Sequence, residues 1–260
     1  MILDEIIEHK RAEVAAQKIN VPLAALMEQI ERVEPPRDFR GALRQEGVSL
    51  IAEIKRASPS KGDIMPDVNA VELAGVYEQS GARAISVLTD AKYFKGSLSD
   101  LTEVHNHVRI PCLRKEFVVD PYQIYEARAA GADAILLIIR VLSDAEIKEF
   151  QGIAKKLGMA ALVETHTLEE IMRAKEAGAH IIGINNRDLD TLTVDVKVTL
   201  ELRKRVPGGV TLVSESGIYT RAHVKALEDG GVDGILVGES LLTSRDIRGK
   251  IWELLGRDEG

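Results

Sequence analysis

The sequence holds one cysteine, Cys112, in 260 residues. No intramolecular disulfide framework exists, and a reducing compartment, the cytoplasm, is expected. An excess of positive charge is missing too: 34 Lys plus Arg stand against 41 Asp plus Glu, a net charge of −7. That balance gives no electrostatic reason to expect nucleic acid or an anionic membrane as partner, so any bound phosphate has to be held locally. Long apolar runs are absent. The strongest, 134–139, is far below the ~18 residues that span a bilayer, and the first ten residues, MILDEIIEHK, are acidic and amphipathic rather than basic then apolar. Export and membrane insertion are therefore not expected. Neither Gly-x-Gly-x-x-Gly nor Gly-Lys-Ser/Thr occurs, so dinucleotide and nucleoside triphosphate binding are not indicated.

What is present is a repeat. In SGARAISVLTD (from Ser80), AGADAILLI (from Ala130), AGAHIIGINN (from Ala177) and GGVDGILVGES (from Gly230), a glycine closes a helical segment and an apolar strand follows. The spacing of ~50 residues exceeds the ~30 of one βα unit, so each interval should hold a further strand. These appear at VSLIAEIKR (from Val48), IPCLRKEF (from Ile110), GMAALVETH (from Gly158) and GVTLVSES (from Gly209). Helical patterns at 120–130, 143–157, 167–177 and 220–229 each open with Asp, Ser or Thr. Eight strands alternating with helices, without a linker or composition shift, predict the α/β class and a single (β/α)8 TIM barrel. A doubly wound sheet is the alternative.

Residues 1–47 form an N-terminal helical extension, with amphipathic stretches at 3–17 and 22–33 and a stop at Pro35-Pro36. Together with the barrel of 48–260 they are expected to make one domain. The extension either plugs the barrel bottom or covers its mouth, and the sequence leaves both open.

In this fold the catalytic groups stand at the C-terminal ends of the strands. The even strands are mostly apolar, whereas the odd ones end in ionisable residues: Glu53 and Lys55, Lys115, Glu164, and Glu215. Glu53 and Lys55 are two apart and share a face, with Ala52 and Ile54 on the other. An internal salt-bridge network is the competing reading, but buried ions are poor stabilising devices, which favours a functional pocket. Asn185 and Arg187 close the sixth strand at the same rim, where the Arg187 fork suits a carboxylate or phosphate. Gly-containing loops after the seventh and eighth strands, SESGI (214–218) and VGESL (237–241), are in the positions that hold phosphate in such barrels. SPSKG (58–62) adds a further donor or a lid. His105 and His107 precede the third strand and are expected to be a solvated loop pair on the opposite face rather than metal ligands. His166 is expected at most beside Glu164, and Cys112 as a small buried hydrophobe.

The motifs IAEIKRASPSKG, LRKEFVVDPYQI, ALVETHT, IGINNRDL, VSESGI and ILVGESL lie between Asp38 and Leu242. In order and spacing they resemble the indole-3-glycerol phosphate synthase family. The resemblance implies a monomeric barrel acting on a small phosphorylated aromatic substrate, without metal or cofactor. The product is indole-3-glycerol phosphate, released with carbon dioxide and water. It also implies Lys115 as general acid and Glu164 as general base, with Glu53, Lys55, Asn185, Arg187, Glu215 and Ser216 completing a polar pocket. Ser58, Gly217, Gly238 and Glu239 would meet the phosphate, Glu239 through its backbone amide. Phe94, Phe117, Leu137 and Leu189 would line an aromatic slot. The residues by themselves leave three rivals: a Schiff-base aldolase using Lys115 or Lys55, an isomerase of a related phosphoribosyl anthranilate, and a non-catalytic phosphate-binding barrel.

Overall fold

Gly81, Gly131, Gly178 and Gly231, one from each repeat, take φ values of 101°, 95°, 82° and 75° in a computed structural model that describes residues 2–188, 193–206 and 208–257. The residue after each glycine donates its N–H back five positions at 2.9 to 3.0 Å: Ala82 to Tyr77, Ala132 to Ala127, Ala179 to Ala174 and Val232 to Leu227. This left-handed cap satisfies late helix carbonyls and aims the chain into a strand.

Among the described residues, eight strands make the barrel: β1 (Ser49–Ile54), β2 (Ala84–Leu88), β3 (Cys112–Lys115), β4 (Ala134–Ile138), β5 (Ala160–Thr165), β6 (Ile181–Asn185), β7 (Thr211–Glu215) and β8 (Gly234–Val237). Each pairs in parallel with its sequence neighbours, and β8 returns to β1. Closure leaves no open edge and excludes the doubly wound alternative. A two-stranded hairpin, Ala57–Ser58 with Gly62–Asp63, follows β1.

Side-chain alternation splits the core in two. Ala52, Ile54, Cys112 and Leu137 belong to the layer between strands and helices, whereas Ile51, Leu113, Leu136, Ile138, Leu162 and Val213 fill the barrel interior. Parallel register explains the split at β4, where Ile138 lies beside Glu164 and Leu137 beside Val163.

Three helices precede β1: α1 (Ile2–Asn20), α2 (Leu23–Ile30) and α3 (Phe39–Leu43). They reach both ends of the barrel. Phe39 and Leu43 join the interior cluster with Ala84, Ala134 and Ile181 at the strand starts. Arg40 ties α3 to this floor by donating to Thr211 Oγ1 at 3.1 Å and to the Gly209 carbonyl at 2.6 Å. On the flank, Leu26 of α2 packs with Val14 and Tyr122. At the mouth, α1 inserts Lys10, 1% exposed, between Asp90 and Glu116, which lie just past the ends of β2 and β3. Its Nζ stands 2.9 Å from Asp90 Oδ2 and 3.1 Å from Glu116 Oε1. Burial alone would lower the Lys10 ammonium, but these two carboxylates outweigh it and raise it.

The histidine pair differs from expectation. The helix Leu98–His107 includes both residues; His105 is buried, one turn from Leu101, and only His107 is exposed. The helix runs further than the sequence suggests, and i to i+4 spacing turns His105 inward. Its Nδ1 lies 3.5 Å from Asp133 Oδ2. Asp133 also accepts from the backbone N–H of Cys112 and of Arg37, at 2.7 and 2.8 Å, so this junction ties the floor together. Cys112 is fully buried as expected, and burial pushes its thiol up. Among the described residues no helix is long and apolar enough to cross a membrane.

Candidate active site

The ends of β1, β3, β5 and β7 bring Glu53, Lys55, Lys115, Glu164 and Glu215 to one cavity of about 370 Å³ at the barrel mouth. Lys115 Nζ stands 3.3 Å from Glu164 Oε2 and 3.8 Å from Glu215 Oε2, while Lys55 Nζ donates to Glu53 Oε1 at 2.6 Å. Asn185 Nδ2 donates to the other Glu164 oxygen at 3.2 Å. Asn185 Oδ1 in turn accepts from the backbone N–H of Arg187 at 3.0 Å. The charges pair, as the salt-bridge reading requires, but they do so around open space rather than in a sealed core.

Two glycines make room for the carboxyls. A β-carbon at Gly183 on β6 would overlap Glu215 Oε1, and one at Gly238 would overlap Glu53 Oε1.

Burial would lower the Lys115 ammonium, yet Glu164, Glu215 and Glu53 outweigh it and raise it, so Lys115 is charged. For Glu164, burial acts upward, but the charges of Lys115 and His166 and the Asn185 hydrogen bond prevail and lower it. Glu215 goes the other way. Burial first, then the charges of Glu164 and Glu53, push it up to about 8 against the pull of Lys115. The two buried carboxyls are thus pushed apart, Glu164 toward its anion and Glu215 toward its neutral form.

Facing the ionic floor is an apolar slot. Phe94 and Phe117 stand with ring centroids 6.0 Å apart, and Leu136, Ile138 and Leu236 line the wall beside them. Ile2, Leu3 and Ile6 of α1 close the slot from above. At the rim, Ser216 and Gly217 take successive positive φ values of 68° and 78°. A left-handed Ser costs about 1 kcal/mol or more and persists only where surroundings hold it. Here Asn186 Nδ2 donates to the Ser216 carbonyl at 3.0 Å, and Gly217 sits too close to Val194 to carry a side chain.

Ser58, Arg187, Gly238 and Glu239 complete the rim of the same cavity. The Glu239 carboxylate is engaged by Tyr219 Oη at 3.1 Å, Lys61 Nζ at 3.4 Å and Arg187 Nη2 at 3.9 Å, which balances a charge that would otherwise oppose an anion. Leu137 is a correction: it faces the helices, and its neighbours Leu136 and Ile138 take the place in the slot. The signal was available, since the register that turns Glu164 inward turns Ile138 inward as well. Leu189 lies outside the described residues. The α1 residues and Tyr219 were missed, because their place depends on docking between distant segments.

The family model described as indole-3-glycerol phosphate synthase matches residues 3–254. A curated protein named indole-3-glycerol phosphate synthase from Dehalococcoides mccartyi (strain CBDB1) is 47% identical, over 98% of this chain and 100% of that protein. One of the same name from Roseiflexus sp. (strain RS-1) is 46% identical over 98% of each. Among solved structures, 3-hexulose-6-phosphate synthase from Salmonella typhimurium superposes with a TM-score of 0.65 over 80% of this chain and 97% of that one. At 14% identity that likeness shows the fold alone.

Proposed function

The chain belongs to the indole-3-glycerol phosphate synthase family, and from that premise we propose which of its side chains carry the reaction. The enzyme is a carbon-carbon lyase of tryptophan biosynthesis. It converts 1-(2-carboxyphenylamino)-1-deoxyribulose 5-phosphate into indole-3-glycerol phosphate, carbon dioxide and water.

One observation carries the assignment of roles. Lys115 lies between Glu164 and Glu215, 3.3 and 3.8 Å away, in a cavity that Phe94 and Phe117 also line. The slot of Phe94 and Phe117 holds the anilino ring, so that the ring carbon and the ketone carbon meet, which supplies proximity. As that bond forms, Lys115 protonates the ketone oxygen. The carboxylate, oriented by Lys55 and Arg187, leaves as carbon dioxide, and its electron pair restores the ring. Glu215 then protonates the hydroxyl, which departs as water, and Glu164 removes the proton from the adjacent carbon. Glu53 and Asn185 keep Lys55 and Glu164 in place. The phosphate lies against Ser58, the successive N–H groups of left-handed Ser216 and Gly217, and the backbone of Gly238 and Glu239.

A Schiff-base aldolase acting through Lys115 is disfavoured, because its acidic neighbours, Glu164 first, hold the amine charged and a charged amine is no nucleophile. The extension and the barrel act as one unit in this reading, with α1 as the roof of the slot. We also place the protein in the cytoplasm, as a monomer. The test is an indole-fluorescence assay with the carboxyphenylamino-deoxyribulose phosphate; the reading stands if emission rises and falls if it does not.

A further inference from the structure

The rim that receives the phosphate carries a carboxylate of the wrong sign. In the proposed reaction Glu239 meets the phosphate through its backbone, yet the residue lines the same cavity and its side chain is 22% exposed. Two like charges at such a place repel, and a partly dry wall screens them less than water does. Something has to keep the carboxylate turned away.

Three groups engage it, and they are unequal. Lys61 Nζ, 3.4 Å from Oε1, belongs to a side chain 55% exposed, and Arg187 Nη2 stands 3.9 Å from Oε2. Ion pairs this open or this long fix a direction poorly and contribute little. Tyr219 Oη donates to Oε1 at 3.1 Å, the length of a hydrogen bond. Burial first, then the Glu239 charge, raise the phenol above its ordinary value, so it stays protonated and remains a donor.

The place of Tyr219 is itself fixed. The left-handed pair Ser216 and Gly217 stands just before it in the chain, separated only by Ile218, whose carbonyl accepts from buried Ser240 Oγ at 2.8 Å. Its own N–H donates to His223 Nδ1 at 3.3 Å. The loops after β7 and β8 are thus tied twice, once in the buried layer by Ser240 and once at the surface by the phenol.

We propose that Tyr219 is a positioning residue that holds the Glu239 carboxylate off the phosphate, so that this rim presents backbone N–H groups and not a side-chain charge. The inference rests on the placement of the phosphate at this rim. Tyr219→Phe keeps the ring but frees the carboxylate to turn back over the backbone it now leaves open.

The test is a double-mutant cycle of Tyr219→Phe and Glu239→Gln, read as KM and as competitive inhibition by inorganic phosphate. Tyr219→Phe should raise KM and the phosphate inhibition constant about fivefold, the scale of one lost hydrogen bond, with kcat unchanged. In the Glu239→Gln background the same change should do nothing, because no charge is left to restrain. Wild-type KM in Tyr219→Phe would overturn the proposal. So would an equal rise in both backgrounds, since a residue that only packs the loop gives that pattern. Glu239→Lys separates this inference from the phosphate reading: with phosphate at the rim, reversing the charge tightens inhibition by inorganic phosphate. If it does not, the placement of the phosphate falls and the inference with it. If it does while Tyr219→Phe behaves as wild type, only the role of Tyr219 falls.

Discussion

Gly183 lies beneath the Glu215 carboxyl: a β-carbon at 183 would overlap Glu215 Oε1, an oxygen buried without a hydrogen-bond partner among the described residues. The missing side chain on β6 is thus what lets β7 keep an uncharged acid against Lys115. Gly183→Ala should push Glu215 aside, costing about 1–3 kcal/mol of stability through overpacking and lowering kcat. Urea denaturation and the fluorescence assay read the two effects; unchanged values in both would contradict this account.

Lys115→Ala and Glu164→Gln should each lower kcat by about 10²–10⁴-fold while KM moves little, because the contacts they remove matter in the transition state. Steady-state kinetics of the purified variants decide it. A rise in KM at constant kcat would recast both residues as binders.

Stability should depend on pH through Glu215. Its folded value, about 8, lies above that of an unfolded carboxyl, so the native state holds a proton that the unfolded chain releases. The contribution is complete below the ordinary carboxylate range and is lost as pH rises towards 8, with a slope of at most about 1.4 kcal/mol per pH unit for one proton. Glu215→Gln, which mimics the neutral acid, should flatten that slope. Thermal unfolding at pH 5, 6.5 and 8 measures it.

Lys10→Met should leave Asp90 and Glu116 buried without their common cation, a loss of about 3–5 kcal/mol. It should also free α1 and raise KM, as Ile2, Leu3 and Ile6 leave the slot. Denaturation midpoints and KM should therefore shift together.

The barrel was legible because the cap after each repeat needs a left-handed residue, and only the glycines of SGARA, AGADA, AGAHI and GGVDG offer one cheaply. The ionic floor was legible from strand alternation, which placed Glu53, Lys115, Glu164 and Glu215 on one side. Leu137 was misplaced by disregarding that same alternation on β4. His105 was misjudged because a helix end is set by packing as much as by local sequence. The roof was hidden for a deeper reason: nothing near Lys10 in the chain distinguishes it from a solvated lysine. Its partners come from loops that only barrel closure brings beneath it.

During synthesis α1 leaves the ribosome well before Asp90 and Glu116 exist, so its lysine remains hydrated until three staves of the barrel have been translated. Roof and rim are then completed in the same event. A nascent enzyme accordingly acquires its enclosed reaction chamber only when later parts of the polypeptide come back to meet α1.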